Sequence, residues 1–249
     1  MTPVIAAGTR EKTVRYHREM PDATLDFLSA CAVFAGVPVR ELATLAAVAR
    51  TETYRAREFV FMEGDEGEWF CVVRSGRVKI LRQSRGGKEV VLELLGPGEP
   101  FGGVAVIERR PYPASAQAAE PSVVLKIPRE PIVAITERHP KIIREMALII
   151  GRRLRGAHES VRSLSVDPVE ARLAAALLRL AEREGKRARG GVTLPFTLTR
   201  QSLGDMTGTT VETTIRIMSR WQKSGLVRDE AGRLALPDLQ ALRKIAEGG

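Results

Sequence analysis

Between Pro140 and Asp167, apolar residues recur every seven positions. Ile143, Ile150, Ala157 and Leu164 form one row, and Ala147, Leu154 and Val161 alternate with them. This spacing belongs to a helix, because a strand alternates with a period of two. The stripe takes two positions in seven, narrower than the face a helix usually buries against a globular core. It therefore favours packing against an identical helix in a parallel coiled coil, with Arg152, Arg153, Arg155 and Arg162 outside the seam. Packing of the same seam on the preceding domain is the alternative. Asp167-Pro168 stops the helix, since the residue before proline is pushed out of helical geometry.

This helix separates two textures. Before it, from Thr51 to Ile127, short runs rich in Val, Ile, Phe and Tyr alternate with glycine turns. The runs are Glu58–Met62, Trp69–Val73, Arg77–Arg82, Glu89–Leu95 and Val123–Ile127; the turns are Gly64-Asp-Glu-Gly67, Ser75-Gly76, Gly86-Gly87 and Gly96-Pro-Gly98. Closely spaced short strands of this kind predict an all-β antiparallel barrel or sandwich. Ahead of it, Leu25, Leu28, Val33 and Phe34 mark a short helical stretch. Leu42, Leu45, Ala46 and Ala49 mark a second helix behind Pro38, a favourable first-turn residue. Residues 1–24 show little apolar periodicity and read as a flexible arm.

After Asp167 the chain is mainly helical. A helix is expected from Val169 to about Glu184, then a Gly/Arg loop to Gly191 and a strand-like run over Val192–Leu198. In the stretch Thr199–Gly225, Thr199 can cap a short helix ending near Met206, with Leu203 and Met206 turned inward. Gly208 supplies the turn, and Thr209 or Thr210 caps a second helix that turns Thr214, Ile217, Met218 and Trp221 inward. The strand-like runs Leu226–Arg228 and Arg233–Leu236 follow, and a last helix opens at Pro237-Asp238. Short helix, glycine turn, longer helix and hairpin are the order of a winged helix-turn-helix.

The outward face of the second helix carries Val211, Glu212, Ile215 and Arg216, with Thr213 at its edge. Arg can pair bidentately with guanine, Glu can accept from cytosine N4, and Val211 can touch a thymine methyl. Arg200, Thr210, Arg220 and Lys223 suit phosphates, which position a reader without conveying sequence. Two simpler roles compete: Glu212 in a capping box with Thr209, and an Arg216–Glu212 pair at i, i+4.

In these motifs the chain resembles the Crp/Fnr family of transcription regulators over about residues 25–245. The likeness rests on Glu63-Gly-Asp65, Ser75-Gly-Arg-Val-Lys79 and Gly98-Glu-Pro-Phe-Gly102 in the β-domain. In the last third it rests on Leu198-Thr-Arg200, Val211-Glu-Thr213, Arg216 and Gln222-Lys-Ser-Gly225. The resemblance implies an α+β protein with four parts: the arm (1–24), a jelly-roll-like β-roll sensory domain (25–139), a dimerisation helix (140–166) and a Crp-type winged helix-turn-helix domain (167–249). It implies a homodimer on a two-fold symmetric site in double-stranded DNA, with Glu212 and Arg216 as principal base readers and RNA polymerase as a partner. Ile215 stands where the oxygen-sensing branch has serine, which leaves the outer base preference open.

The same resemblance places an effector pocket at Gly102, Gly103, Val104, Ala114, Ser115, Ala157 and His158. Cyclic-nucleotide-binding members carry a Glu for the ribose where Gly103 stands, and an Arg-Ser pair near Ala114-Ser115. They also have a Thr-Ser pair where this chain has Ala157-His158. A phosphate diester calls for a cation with oriented donors, and none occupies the matching position, so cyclic AMP is not expected. Arg109 and Arg110 are expected in solvent. His158 is a candidate haem ligand or a surface residue beside the seam, and Tyr112-Pro-Ala-Ser115 resembles members linked to nitric oxide or haem. The two cysteines, Cys31 and Cys71, cannot build an iron–sulfur cluster or a four-cysteine zinc site; Cys71 reads as a buried small hydrophobe or a redox group. The effector, whether a small molecule or a redox signal, and any cofactor stay unassigned.

Composition narrows the remaining classes. The apolar runs Leu173–Leu178 and Met146–Ile150 fall short of the roughly 20 residues of a membrane helix. The first ten residues lack the basic start and apolar stretch of a secretory signal. A reducing cytoplasm and no membrane are expected. The 39 Lys and Arg against 30 Asp and Glu give a net charge of +9, which suits nucleic acid but does not locate it. There is no glycine-rich phosphate loop, metal-ligand spacing or nucleophile–base motif, so an enzyme is not expected. The rivals are a cyclic-nucleotide-dependent regulator and an interaction module whose helix-turn-helix is structural only.

Overall fold

The computed structural model describes residues 15–17, 21–83, 89–188, 190–230 and 232–248. The first half contains, in chain order, β1 (Arg15–His17), α1 (Pro21–Ala30), a 3-10 turn (Ala32–Phe34), α2 (Val39–Val48), β2 (Arg50–Tyr54), β3 (Phe59–Phe61), β4 (Trp69–Ser75) and β5 (Val78–Gln83). It continues with β6 (Glu89–Leu95), β7 (Pro100–Phe101), α3 (Gly103–Glu108), β8 (Ser115–Ala118), β9 (Ser122–Pro128) and α4 (Arg129–Arg138). The strands form two antiparallel sheets in the orders β1-β2-β9-β4-β7 and β3-β8-β5-β6.

Strand β4 shows why its run is apolar throughout. Phe70 and Val72 pack with Leu28, Phe34, Leu45 and Ile135 of the helices, whereas Cys71 and Val73 enter the roll interior with Val60, Val78 and Phe101. With a period of two, a strand covered on both faces must be apolar at consecutive positions. Strand β9 follows the same rule, with Leu125 and Ile127 toward the helices and Val124 inside. Each such fully buried side chain contributes about 1.5–3 kcal/mol.

The second half comprises α5 (Lys141–Val166), α6 (Val169–Glu184), β10 (Lys186–Ala188), β11 (Gly191–Thr193), α7 (Arg200–Thr207), α8 (Val211–Lys223), β12 (Arg228–Glu230), β13 (Arg233–Leu236) and α9 (Leu239–Ala246). A small sheet of order β10-β11-β13-β12 flanks its helices. The core joins Leu173, Leu177, Leu203, Met218, Trp221 and Leu236 from α6, α7, α8 and β13. Leu94 of β6 belongs to this same cluster, so the β-roll and the helical domain share apolar packing.

Several local expectations are corrected. The arm is not wholly irregular, because β1 adds to the sheet edge beside β2, with Arg15 opposite Thr53; residues 1–14 and 18–20 lie outside the described residues, as does the Gly86-Gly87 turn. The span 51–127 is not all-β, since it contains α3, whose six residues are too few to show a helical period. The expected strand at 192–198 stops at Thr193, two residues before Pro195, which has no N–H to offer a ladder. Its partner β10 lies where a loop was expected. Strand β12 starts at Arg228 rather than Leu226, because the N–H groups of Leu226 and Val227 donate to the Trp221 carbonyl and close α8.

Candidate nucleic-acid interface and effector cavity

Helices α7 and α8 are set by their caps. Thr199 Oγ1 accepts from the Ser202 N–H at 3.0 Å, and Thr210 Oγ1 accepts from the Thr213 N–H at 3.2 Å. Gly208 ends α7 at φ +64°, left-handed geometry that suits glycine. Thr210, not Thr209, is therefore the cap of α8, and the capping box with Glu212 is not used. Thr214, Ile217, Met218 and Trp221 are buried, as their spacing predicts.

The opposite face of α8 is open. Glu212, Ile215 and Arg216 are exposed, while Val211 and Thr213 are half-buried at its margin. No hydrogen bond or ion pair joins Glu212 or Arg216 to another side chain among the described residues, so neither simpler role is filled. A Glu and an Arg one turn apart on an unpaired helix face retain their capacity for base edges. Thr210 sits at the helix start, Lys223 is exposed at its end, and Arg200 opens α7 half-buried. Arg220 differs, because its guanidinium pairs with Glu170, which also accepts from Trp221 Nε1 at 2.8 Å. This pair ties α8 to α6, and Arg220 would have to leave it to meet a phosphate.

The seam of α5 is exposed along its length. Ile143, Ile150, Leu154 and Leu164 are each 42–53% accessible, and Ala147 and Ala157 are also exposed; the Val161 side chain lies outside the described residues. Ile142 and Met146, on another face, are buried against the β-roll. The roll is thus served mainly by residues outside the seam; among the described seam residues, Ile150 also lines the cavity beside the roll and Leu164 lies against Gly208, yet all of them keep much of their surface exposed.

Between the roll and α5 lies a cavity of about 180 Å³. Gly102, Gly103, Val104 and Ala114 line it, as expected, but Ser115, Ala157 and His158 do not. Ser115 is buried, and its Oγ accepts from the Glu63 N–H at 2.8 Å. Ala157 and His158 are exposed further along α5. Sequence reasoning missed Phe61, Phe101, Tyr112, Ile149, Glu93 and Arg153, which come from separate elements and share no spacing. Tyr112 stacks on Phe61 with centroids 3.7 Å apart, and its hydroxyl donates to the Trp69 carbonyl and accepts from the Trp69 N–H. Gly103 is a close-approach glycine: a Cβ there would stand 2.7 Å from Met146 Cε and 2.9 Å from Phe70. Arg109 turns outward to pair with Glu130 at 3.0 Å, both side chains being exposed. Burial pushes the Cys71 thiol up to about 12 and the Cys31 thiol up to about 11, which keeps both protonated and unreactive at neutral pH.

A β-roll, a long helix with an exposed apolar seam and a helix-turn-helix with an open second helix define the class of two-domain helix-turn-helix regulators. Comparison with known proteins agrees. The cyclic nucleotide-binding domain family matches residues 51–139, and the Crp-like helix-turn-helix domain matches residues 171–245. The cyclic AMP receptor protein of Thermus thermophilus is 31% identical over 216 residues, covering 87% of this chain and 97% of that protein. The transcriptional activator protein anr of Pseudomonas aeruginosa is 28% identical over 81% of this chain and 82% of its own length. The solved structure of FixK2 from Bradyrhizobium japonicum shares the fold with a TM-score of 0.69 at 23% identity, covering 79% of this chain and 96% of that one. The chain belongs to the Crp/Fnr family of DNA-binding transcription regulators, which are not enzymes. Among the described residues, no helix is long and apolar enough to cross a membrane.

Proposed function

We propose that two copies of this chain pair through the α5 seam and read a two-fold symmetric duplex site with their α8 helices, under control of a ligand at the cavity between the roll and α5. Glu212 and Arg216 read base edges, with Val211 and Thr213 beside them. Arg200, Thr210 and Lys223 hold phosphates, and Arg220 joins them once released from Glu170. The observation that carries this reading is the unpaired, exposed Glu212–Arg216 face of a helix whose other face is fully buried. The Crp-type architecture supports RNA polymerase as the partner on DNA.

The relatives' names point to cyclic AMP for some, in Thermus thermophilus and Mycobacterium tuberculosis, and to anaerobic regulation for others, for example in Pasteurella multocida. Residues at the cavity argue against the first for this chain. Gly103 has no room for a ribose-binding carboxylate, and no cation stands at Ala114 or Ser115 for a phosphate. Two separate buried cysteines argue against a cluster-sensing mechanism. The cavity therefore takes an effector of another kind.

The test is selection of binding sites from a random duplex pool, repeated with Arg216→Ala. The variant is expected to lose about 1–3 kcal/mol of affinity and to relax one position in each half-site. Unchanged affinity and an unchanged selected sequence would remove Arg216 from the interface.

A further inference from the structure

The cavity between the roll and α5 also constrains what it can hold. Its wall is apolar and aromatic, with Phe61, Phe101 and Tyr112 on the roll side and Ile149 and Ile150 on the helix side. Its volume of about 180 Å³ is close to that of apolar protein cavities that admit a benzene ring.

Among the described residues, the charged ones lining it are Glu93 and Arg153, which face each other at 3.1 Å. A second guanidinium nitrogen of Arg153 donates to the Pro100 carbonyl at 2.8 Å. The cavity is therefore electrically balanced. An anionic ligand would compete with Glu93 for Arg153 and leave one negative charge uncompensated beside a largely apolar wall. A cation would meet Arg153 in the same way. A neutral hydroxyl can accept from Arg153 and donate to Glu93 at once, leaving the pair intact. Burial already raises the Glu93 carboxyl above its ordinary value against the opposing pull of Arg153, so a further negative charge beside it is doubly unfavourable.

We propose that this cavity binds an uncharged, single-ring aromatic molecule carrying a hydroxyl group, with the ring among Phe61, Phe101 and Tyr112 and the hydroxyl between Glu93 and Arg153. The proposal rests on the reading of the cavity as the effector site and names the class of ligand for it.

Benzyl alcohol and benzoate form a matched pair that differs chiefly in charge. Their binding to the full-length protein can be measured by ligand-observed NMR, with cyclic AMP as a third probe. Benzyl alcohol is expected to bind about ten-fold or more tightly than benzoate, a difference of about one decade in Kd, and cyclic AMP is expected not to compete with it. Ala114→Leu, which fills the cavity, should abolish benzyl alcohol binding. Glu93→Gln leaves the fold's apolar packing in place and gives the cavity a net positive charge, so the order of the two ligands should reverse. Tighter binding of benzoate or cyclic AMP to the unaltered protein, no binding of benzyl alcohol, or an unchanged order in Glu93→Gln would each overturn the ligand class. DNA affinity measured with and without bound benzyl alcohol separates this from the effector reading. If the alcohol binds and DNA affinity stays the same, the ligand class stands and the effector role of the cavity falls.

Discussion

Arg77 joins the two halves of the chain through contacts of different kinds. Its backbone N–H donates to Ser122 Oγ within the β-roll, its guanidinium pairs with Glu184 at the end of α6, and the same group lies 3.4 Å from the ring centroid of Phe196. The two charged side chains are only 5% and 16% exposed. Removing one member of a buried pair leaves the other uncompensated, so Arg77→Ala should cost about 3–5 kcal/mol of stability. The shift in urea midpoint measures this, and a loss below about 1 kcal/mol would show the pair to be marginal. Arg77 belongs to the Ser75-Gly-Arg-Val-Lys79 motif, but its joining role is not legible there, because its partners lie far away in the chain. Glu212 and Arg216, in contrast, were legible because one helix sets their spacing, the caps fix its start and the buried Thr214, Ile217, Met218 and Trp221 fix its orientation. Arg220 lies on the same helix, yet its pairing with Glu170 was not legible, since Glu170 belongs to α6.

Helix α5 carries two faces with different tasks. Ile142 and Met146 anchor it to the roll, and Ile149, Ile150 and Arg153 line the cavity, while the seam residues Ile143, Ile150, Leu154 and Leu164 keep much of their surface exposed. Seven-residue spacing revealed the exposed row, because a regular stripe is a local property of the sequence. The anchoring row is not legible in the same way, since its partners on the roll lie elsewhere in the chain. At 53% exposure, Leu154 contributes little to the protomer's own core, so Leu154→Arg tests the seam without unfolding the chain. Burying the exposed half of two such leucines is worth about 1.5–3 kcal/mol to a symmetric dimer, and adding two facing positive charges opposes it further. Sedimentation velocity should show monomers for the variant and dimers for the unaltered protein. A variant that stays dimeric would move the interface elsewhere. The strands were legible wherever Val, Ile and Phe clustered between glycine turns; α3 and β10 were not, being too short to establish a period.

At the scale of the whole molecule, composition gave a direction and the motifs a location. The charge of +9 divides almost evenly about Ser165, with 25 basic against 20 acidic residues up to it and 14 against 10 beyond it. Charge alone therefore does not mark the DNA-binding end; the open face of α8 does. The two domains are also more firmly joined than the Asp167-Pro168 break suggests. Leu94 of β6 packs in the helical core, and Arg183 pairs with Glu99 at 2.7 Å. Its neighbour Glu93 lines the cavity, so one strand touches both the proposed effector site and the DNA-binding domain. A ligand that alters β6 or α5 can shift the balance between domain orientations only through differential contacts of this kind.

The central claim, a pair of chains presenting two α8 helices to one duplex, is tested most directly by footprinting a selected site and measuring the mass of the complex by sedimentation. Two chains per duplex are expected, with two protected half-sites related by two-fold symmetry and centred about one helical turn, or roughly 34 Å, apart. A single chain protecting a single half-site would contradict it.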